Sequence, residues 1–250
     1  MGPASEPALE ESPLPSNFPR DWFATATHRI LTPVGKEPKK RRDRYDISGN
    51  VEAEYIDAEQ TILKNRRGLK TLEDLHRAEE QALAHAYRSL FREVRLDTPM
   101  TCALLRYIHT AIFGELYEWA GRWRSVWISK PGITWPPPDF LDQNMLAFES
   151  DVLAKHPAGT LVPDDAFCAA LGQIQGELLV IHPFREGNAR TIKLMTDLLA
   201  AQTGRPPLVY DPSEDGHERY IGAAKAAFKK QYRPMVEIIR QALAAAKRRP

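Results

Sequence analysis

The sequence predicts a mainly α-helical bundle with one β-hairpin, and two observations carry that prediction. Apolar residues recur at intervals of three and four over several long stretches, which is typical of helices packed on a core. One stretch, residues 125–135, instead alternates β-branched and aromatic residues around Pro131-Gly132, as in a hairpin. The 250 residues suit one domain with an appendage, or at most two small domains.

Two helices are predicted before the hairpin. Residues 71–94 carry an apolar stripe, and Thr98-Pro99 offers a cap and a first-turn proline for a second helix. The stripe residues are Leu72, Leu75, Ala82, Leu83, Ala86 and Leu90, followed by Leu104, Leu105, Ile108 and Ile112. His76 and His109 lie on these helices without ligand-type neighbours, so we interpret them as structural or exposed.

Five helices are predicted after the hairpin. One runs through residues 141–152, and another opens at Pro163 and ends at His182. The next ends at Gly204, and two more cover residues 218–230 and 235–247.

Residues 1–44 are rich in proline and charge, so we expect this segment to be poorly ordered and residues 45–250 to form the folded domain. Its basic run, residues 36–44, is typical of a nuclear address or a nucleic-acid contact, but also of ordinary solvated charge.

Composition restricts the partners and the compartment. The net charge of +1 does not favour nucleic acid or an acidic membrane as a partner, and no apolar run is long enough to span a bilayer. No signal peptide is expected. Cys102 and Cys168 lie in apolar helical runs, which predicts no disulfide framework and a cytoplasmic location. Export by a route that needs no signal stays open.

The chemistry is concentrated in residues 181–193, a loop between two core helices. Gly187-Asn188 lies where the second helix begins, and unpaired N–H groups at that position favour a phosphate group. Glu186 is a suitable oxygen ligand for Mg²⁺. Arg190 and Lys193 lie one helical turn apart and can neutralise phosphates.

His182 completes the set, since its imidazole can take a proton from an attacking hydroxyl group. The parts together indicate phosphoryl or nucleotidyl transfer.

This loop resembles the signature of the Fic family, His-x-Phe-x-Asp/Glu-Gly-Asn-Gly-Arg-x-x-Arg, with departures at Ala189 and Lys193. Residues 115–124 resemble a second family segment, Tyr-x-Trp-Ala-Gly-x-x-Arg. The resemblance implies the Fic fold, with the hairpin as a flap beside the loop. It also implies ATP and Mg²⁺ as ligands, and transfer of AMP from ATP to a Ser, Thr or Tyr hydroxyl of a target protein.

The resemblance further assigns roles within the loop. His182 is the base, Phe184 fixes the loop to the core, and Glu186 holds Mg²⁺. The residues that would bind the nucleotide are Gly187, Asn188, Ala189, Arg190 and Lys193, of which Arg190 is also counted as catalytic.

Three readings of the chemistry follow. The first is an adenylyltransferase acting as a toxin or an effector. The second is a Fic-fold enzyme that uses another nucleotide donor, transfers phosphate or removes AMP, and the third is a binding module without catalysis. Related Doc proteins transfer phosphate and have lysine where this chain has Ala189, so the sequence favours AMP transfer.

An alanine at position 189 is tolerated if the residue has helical dihedral angles and is strained if its φ is positive. Lys193 keeps the positive charge but lacks the bidentate hydrogen bonding that an arginine makes with a phosphate. Family members are often inhibited by a helix whose glutamate pairs with the residue at position 193. Residues 48–53, including Glu52, match that helix loosely, so a separate inhibitor protein, or none, is the favoured alternative.

The flap residues Val126, Trp127, Ile128 and Ser129 form a candidate docking edge for an extended target peptide. Trp127 and Trp135 either flank that peptide or attach the hairpin to the body.

Overall fold

The structure is a computed structural model that describes residues 50–130 and 132–248. The predicted disordered segment, its basic run and Ser48 therefore lie outside the described residues. The helices are α1 (Leu72–Glu93), α2 (Cys102–Phe113), α3 (Leu141–Asp151), α4 (Asp164–Ile181), α5 (Asn188–Gln202), α6 (Glu214–Ala227) and α7 (Arg233–Lys247). The strands are β1 (Ser129–Lys130) and β2 (Ile133–Thr134). The prediction of a mainly α fold with one hairpin is confirmed.

Two helix starts differ from the prediction. Helix α2 is capped by Thr101, whose side chain accepts from the N–H of Leu104, and not by Thr98. Helix α6 begins at Glu214, because Ser213 caps it by accepting from the N–H of Gly216; the predicted start at residue 218 was wrong.

The core is built around α4, which packs against α3, α5, α6 and α7, while α2 packs against α1 and α5. Helices α4 and α5 are therefore packed on several sides, so the two helix ends that flank the loop, residues 182–187, are held in place. No helix in the described ranges is long and apolar enough to cross a membrane.

The hairpin is shorter than the alternation predicted. Only Ser129 and Lys130 pair with Thr134 and Ile133. One further hydrogen bond, from the N–H of Trp135 to the carbonyl of Ile128 (3.4 Å), continues the pairing. Beyond it, the Arg124 guanidinium donates to the carbonyls of Val126 (2.8 Å) and Pro136 (2.7 Å), so a side chain bridges the two ends of the hairpin.

Residues 50–69 lie over this frame as an irregular lead. A short 3-10 turn, Val51–Ala53, is followed by a bridge between Tyr55 and Leu63, and the N–H of Arg66 donates to the carbonyl of Leu116.

Candidate active site

His182 ends α4 in the left-handed conformation (φ 52°, ψ 59°). Its Nδ1 lies 3.4 Å from the carbonyl oxygen of Leu179, which also accepts from Trp135 Nε1 at 2.9 Å. Since a carbonyl can only accept, Nδ1 carries the proton and Nε2 is the basic nitrogen. The Trp135 ring packs 4.2 Å from the imidazole and restrains it.

Burial lowers the pKa of His182 to about 4, with Lys130 and Arg124 acting in the same direction and Glu186 opposing it. The imidazole is therefore neutral at pH 7 and able to accept a proton.

The loop has a fixed backbone shape. Gly187 has φ +79°, and a Cβ at this position would lie 2.2 Å from Phe113 Cε2, so only glycine fits. The Asn188 side chain accepts from the N–H of Phe184 (2.9 Å) and donates to its carbonyl (2.8 Å). These two hydrogen bonds close the loop on itself.

Phe184 is fully buried and stacks on His109, with ring centroids 3.8 Å apart. His109 Nε2 donates to the carbonyl of Glu186 (3.0 Å), and its Nδ1 accepts from the N–H of Gly121 (2.8 Å). Burial lowers the pKa of His109 to about 3. His109 thus links the 115–124 segment to the loop, a role that the sequence prediction missed.

The Glu186 carboxylate is 39% exposed, and its Oε1 accepts from the N–H of Gly187 at 2.8 Å. Burial acts to raise its pKa, but Arg190 and the Gly187 N–H outweigh that effect and the pKa is lowered. No cluster of three metal-ligating side chains occurs in residues 50–130 or 132–248. One ionised carboxylate still fits Mg²⁺, which commonly completes its shell with phosphate oxygens and water.

Arg190 is paired with Glu79 of α1, at 2.6 Å between Nη1 and Oε2, and lies 3.5 Å from Glu186 Oε1. The other oxygen of Glu79 accepts from the Tyr117 hydroxyl at 2.6 Å. Arg190 also lies over the Phe113 ring, 4.7 Å from its centroid. The structure thus brings Arg190 to the loop and adds Glu79, which the sequence prediction did not include.

Lys193 has different surroundings from Arg190. It is buried, and its Nζ lies 4.1 Å from the centroids of both the Tyr210 and the Tyr220 ring. Burial lowers its pKa to about 8, while Asp197 opposes the shift.

The described contacts of Glu52 involve residues other than Lys193. Its Oε2 accepts from the N–H of Ser125 (2.8 Å), and its backbone carbonyl accepts from Arg185 (2.8 Å). The carboxylate of the loosely matching segment is therefore occupied at the base of the flap.

Ala189 lies in the first turn of α5 and is absent from the positive-φ residues among those described. An alanine is therefore accommodated without backbone strain.

The flap is attached to the loop through Arg124, whose Nε donates to the carbonyl of His182 at 2.8 Å. Trp135 and Val126 are buried, so Trp135 attaches the hairpin to the body. Trp127 is 49% exposed beside the short strand.

Residues 99–200 match the family described as Fic/DOC. A probable protein adenylyltransferase of Sinorhizobium fredii, y4lH, is 25% identical over 180 residues, covering 72% of this chain and 90% of that protein. The protein adenylyltransferase VbhT of Bartonella schoenbuchensis is 30% identical over 152 residues, covering 60% of this chain and 31% of VbhT.

Solved structures show the same fold. The N-terminal Fic domain of an effector of the VirB secretion system from Bartonella sp. AR 15-3 has a TM-score of 0.66 at 21% identity, covering 82% of this chain and 95% of that one. BepC from Bartonella tribocorum, solved with bound AMPPNP, has a TM-score of 0.59 at 19% identity, covering 73% of this chain and 92% of BepC. Residues 99–200 of this chain are therefore similar to the Fic/DOC family, and the chain has the Fic fold.

Proposed function

We propose that this protein is an Mg²⁺-dependent protein adenylyltransferase, which transfers AMP from ATP to a Ser, Thr or Tyr hydroxyl of a target protein. The observation that carries the proposal is the geometry of His182, whose Nδ1 faces the Leu179 carbonyl, which leaves Nε2 as the basic nitrogen of the residue that opens the closed loop before α5. The names of the relatives y4lH and VbhT, and the nucleotide bound to BepC, support the same chemistry.

In the proposed reaction, His182 Nε2 takes the proton of the target hydroxyl, and the hydroxyl oxygen attacks the α-phosphorus of ATP. The bond from the α-phosphorus to the oxygen bridging it to the β-phosphorus breaks, and pyrophosphate leaves. The N–H groups of Asn188 and Ala189, at the start of α5, would face the phosphates, while Gly187, whose N–H donates to Glu186 Oε1, shapes the turn beside them.

Glu186 would hold the metal, and Mg²⁺, when bound, neutralises charge on the phosphate chain. Arg190, fixed by Glu79, would face the same chain. Lys193 contributes positive charge from its position beside the tyrosine rings.

The flap edge would position the target protein in the site. Val126, which is buried and whose carbonyl accepts from Arg124, lies at the inner end of this edge. We propose that an extended target segment pairs with the edge beyond it, along Trp127, Ile128 and Ser129, which places its hydroxyl near His182. We keep a cytoplasmic protein, with export as an effector, as the proposed setting, and a separate inhibitor protein as the proposed regulator.

The test uses ATP labelled on either the α- or the γ-phosphate, added with Mg²⁺ to cell lysate and the purified protein. The proposal expects α label on a protein band, no γ label, and no labelling with His182→Ala. His85→Ala, which changes an exposed histidine on α1, is the matched control and should label normally.

Other outcomes contradict the proposal in distinct ways. Transfer of the γ label alone would indicate a phosphotransferase. Absence of both labels with nucleotide binding intact would indicate a binding module, and α labelling that survives His182→Ala would remove that residue from the base role.

A further inference from the structure

His217, in the first turn of α6, has a ring nitrogen without a partner. Its Nε2 is shielded from solvent and makes no hydrogen bond with any described residue. Leaving a buried polar atom unpaired is costly, so such atoms usually have a partner that completes them.

The surroundings of His217 are cationic. Besides burial, the charges of Lys193 and Lys130 lower its pKa, and Glu218 opposes them. Tyr220 lies one helical turn after His217, and Lys193 of α5 packs on its ring, so Lys193 lies against the face of α6 that carries His217.

Lys130 connects this face to the proposed active site. The charge of this flap lysine also lowers the pKa of His182 and of Glu186. Because Lys193 lies on α5, in the turn after Arg190, and packs on Tyr220, His217 is near the residues proposed to bind the nucleotide.

A ligand at this position must accept a hydrogen bond and tolerate two nearby lysines. An anionic oxygen meets both conditions, because a neutral imidazole donates one N–H and the ammonium groups supply the opposite charge. The three acidic residues of this turn, Glu214, Asp215 and Glu218, are exposed, so their side chains are solvated.

We propose that His217 is a phosphate-binding residue, whose Nε2 donates to an oxygen of the phosphates farthest from the ribose of a bound nucleoside triphosphate. The proposal rests on the nucleotide site of the proposed function and adds to it a contact from α6. His217, Lys130 and Lys193 then form one set around the leaving pyrophosphate.

Calorimetric binding in the presence of Mg²⁺ tests this with three probes: ATP, AMP and inorganic tripolyphosphate. We expect His217→Ala to weaken ATP and tripolyphosphate binding by about 10-fold, because one charge-assisted hydrogen bond is lost. AMP, which lacks the distal phosphates, should bind as before. His85→Ala should leave all three affinities unchanged.

Equal weakening of ATP and AMP would place His217 at the base or ribose, and would overturn the assignment to phosphate. Unchanged affinities would also overturn it, as would wild-type protein that binds neither ATP nor tripolyphosphate. His217→Gln, which keeps an N–H donor, should recover part of the affinity. Thermal unfolding of both variants checks that they fold.

The binding assay separates this proposal from the proposed function. If wild-type protein transfers no AMP but binds ATP in a manner that depends on His217, only the proposed function fails. If AMP transfer is observed and His217→Ala binds ATP normally, only the His217 proposal fails.

Discussion

Glu79 Oε2 lies 2.6 Å from Arg190 Nη1, and both side chains are almost fully buried. The pair joins α1 to the first turn of α5 and fixes Arg190 beside Glu186. We expect Glu79→Gln to destabilise the fold by about 3 kcal/mol, because it leaves a buried cation short of its counter-charge. Urea unfolding measures this loss.

A double-mutant cycle tests whether the pair is the cause. Arg190→Gln combined with Glu79→Gln should cost clearly less than the sum of the single changes, since neither partner is then left uncompensated. Additive costs would show that the two residues stabilise the fold independently.

The pH profile of transfer should follow the lowered pKa of His182. Because the folded pKa is about 4, the basic form prevails at neutral pH, and the initial rate should be flat from pH 8 to 6 and fall below about pH 5. If the initial rate instead fell with a midpoint near the pKa of an unperturbed histidine, the claim that His182 is a desolvated base would be contradicted. Rates of His182→Ala provide the background.

His109 should make the fold sensitive to acid. Its pKa is about 3 in the folded protein against 6.5 for an unperturbed histidine, so the unfolded chain binds a proton that the folded chain does not. Stability from this group is complete above the unfolded pKa and is lost as the pH falls from 6.5 towards 3, by up to about 1.4 kcal/mol per pH unit.

His109→Gln removes that titration while offering an amide to Gly121 and Glu186. We therefore expect its unfolding free energy to vary less between pH 6 and pH 4 than that of the wild type. An identical pH slope in both proteins would mean that His109 does not remain neutral on acidification.

Gly187 and Ala189 form a matched pair for testing the loop. Gly187→Ala should cost at least about 2 kcal/mol and abolish transfer, because the position has a positive φ and its Cβ would overlap Phe113. Ala189→Gly should cost less than about 1 kcal/mol and preserve transfer. If Gly187→Ala and Ala189→Gly lowered Tm and labelling by the same amount, this account of the loop would be contradicted.

Lys193→Arg should lower the KM for ATP by on the order of threefold, since a guanidinium stacks on tyrosine rings and still presents N–H groups to a phosphate. Lys193→Met, of similar length, serves as the uncharged control. A raised KM in the arginine variant would show that the space beside Tyr210 and Tyr220 admits only the narrower lysine.

Local patterns predicted the helices well and their starts less well. Helix α1 is capped by Thr71, the first residue of the predicted stretch, but Thr98 and Thr101 offer equivalent oxygens to the next helix. The position at which α2 begins is linked to Glu149 of α3, whose carboxylate accepts from the N–H of Cys102 in the first turn of α2. A partner 47 positions away cannot be inferred from spacing.

The loop between α4 and α5 and its charged residues could be predicted, because they are contiguous in sequence. Its supports could not, since Glu79 and His109 reach it from 111 and 77 positions away. One signal was present: Glu79 lies four residues from both Leu75 and Leu83, so a carboxylate interrupts an apolar stripe.

The Glu79–Arg190 pair also bears on how this protein can be shortened. The family match starts at residue 99, yet the carboxylate that neutralises Arg190 lies twenty positions upstream, and Tyr55 and Glu52 hold Arg185 from farther still. A fragment that began at residue 99 would keep the whole loop, but it would lose the side chains that hold Arg190 and Arg185 in place. Expression fragments intended to retain the loop in its present shape should therefore begin no later than residue 50.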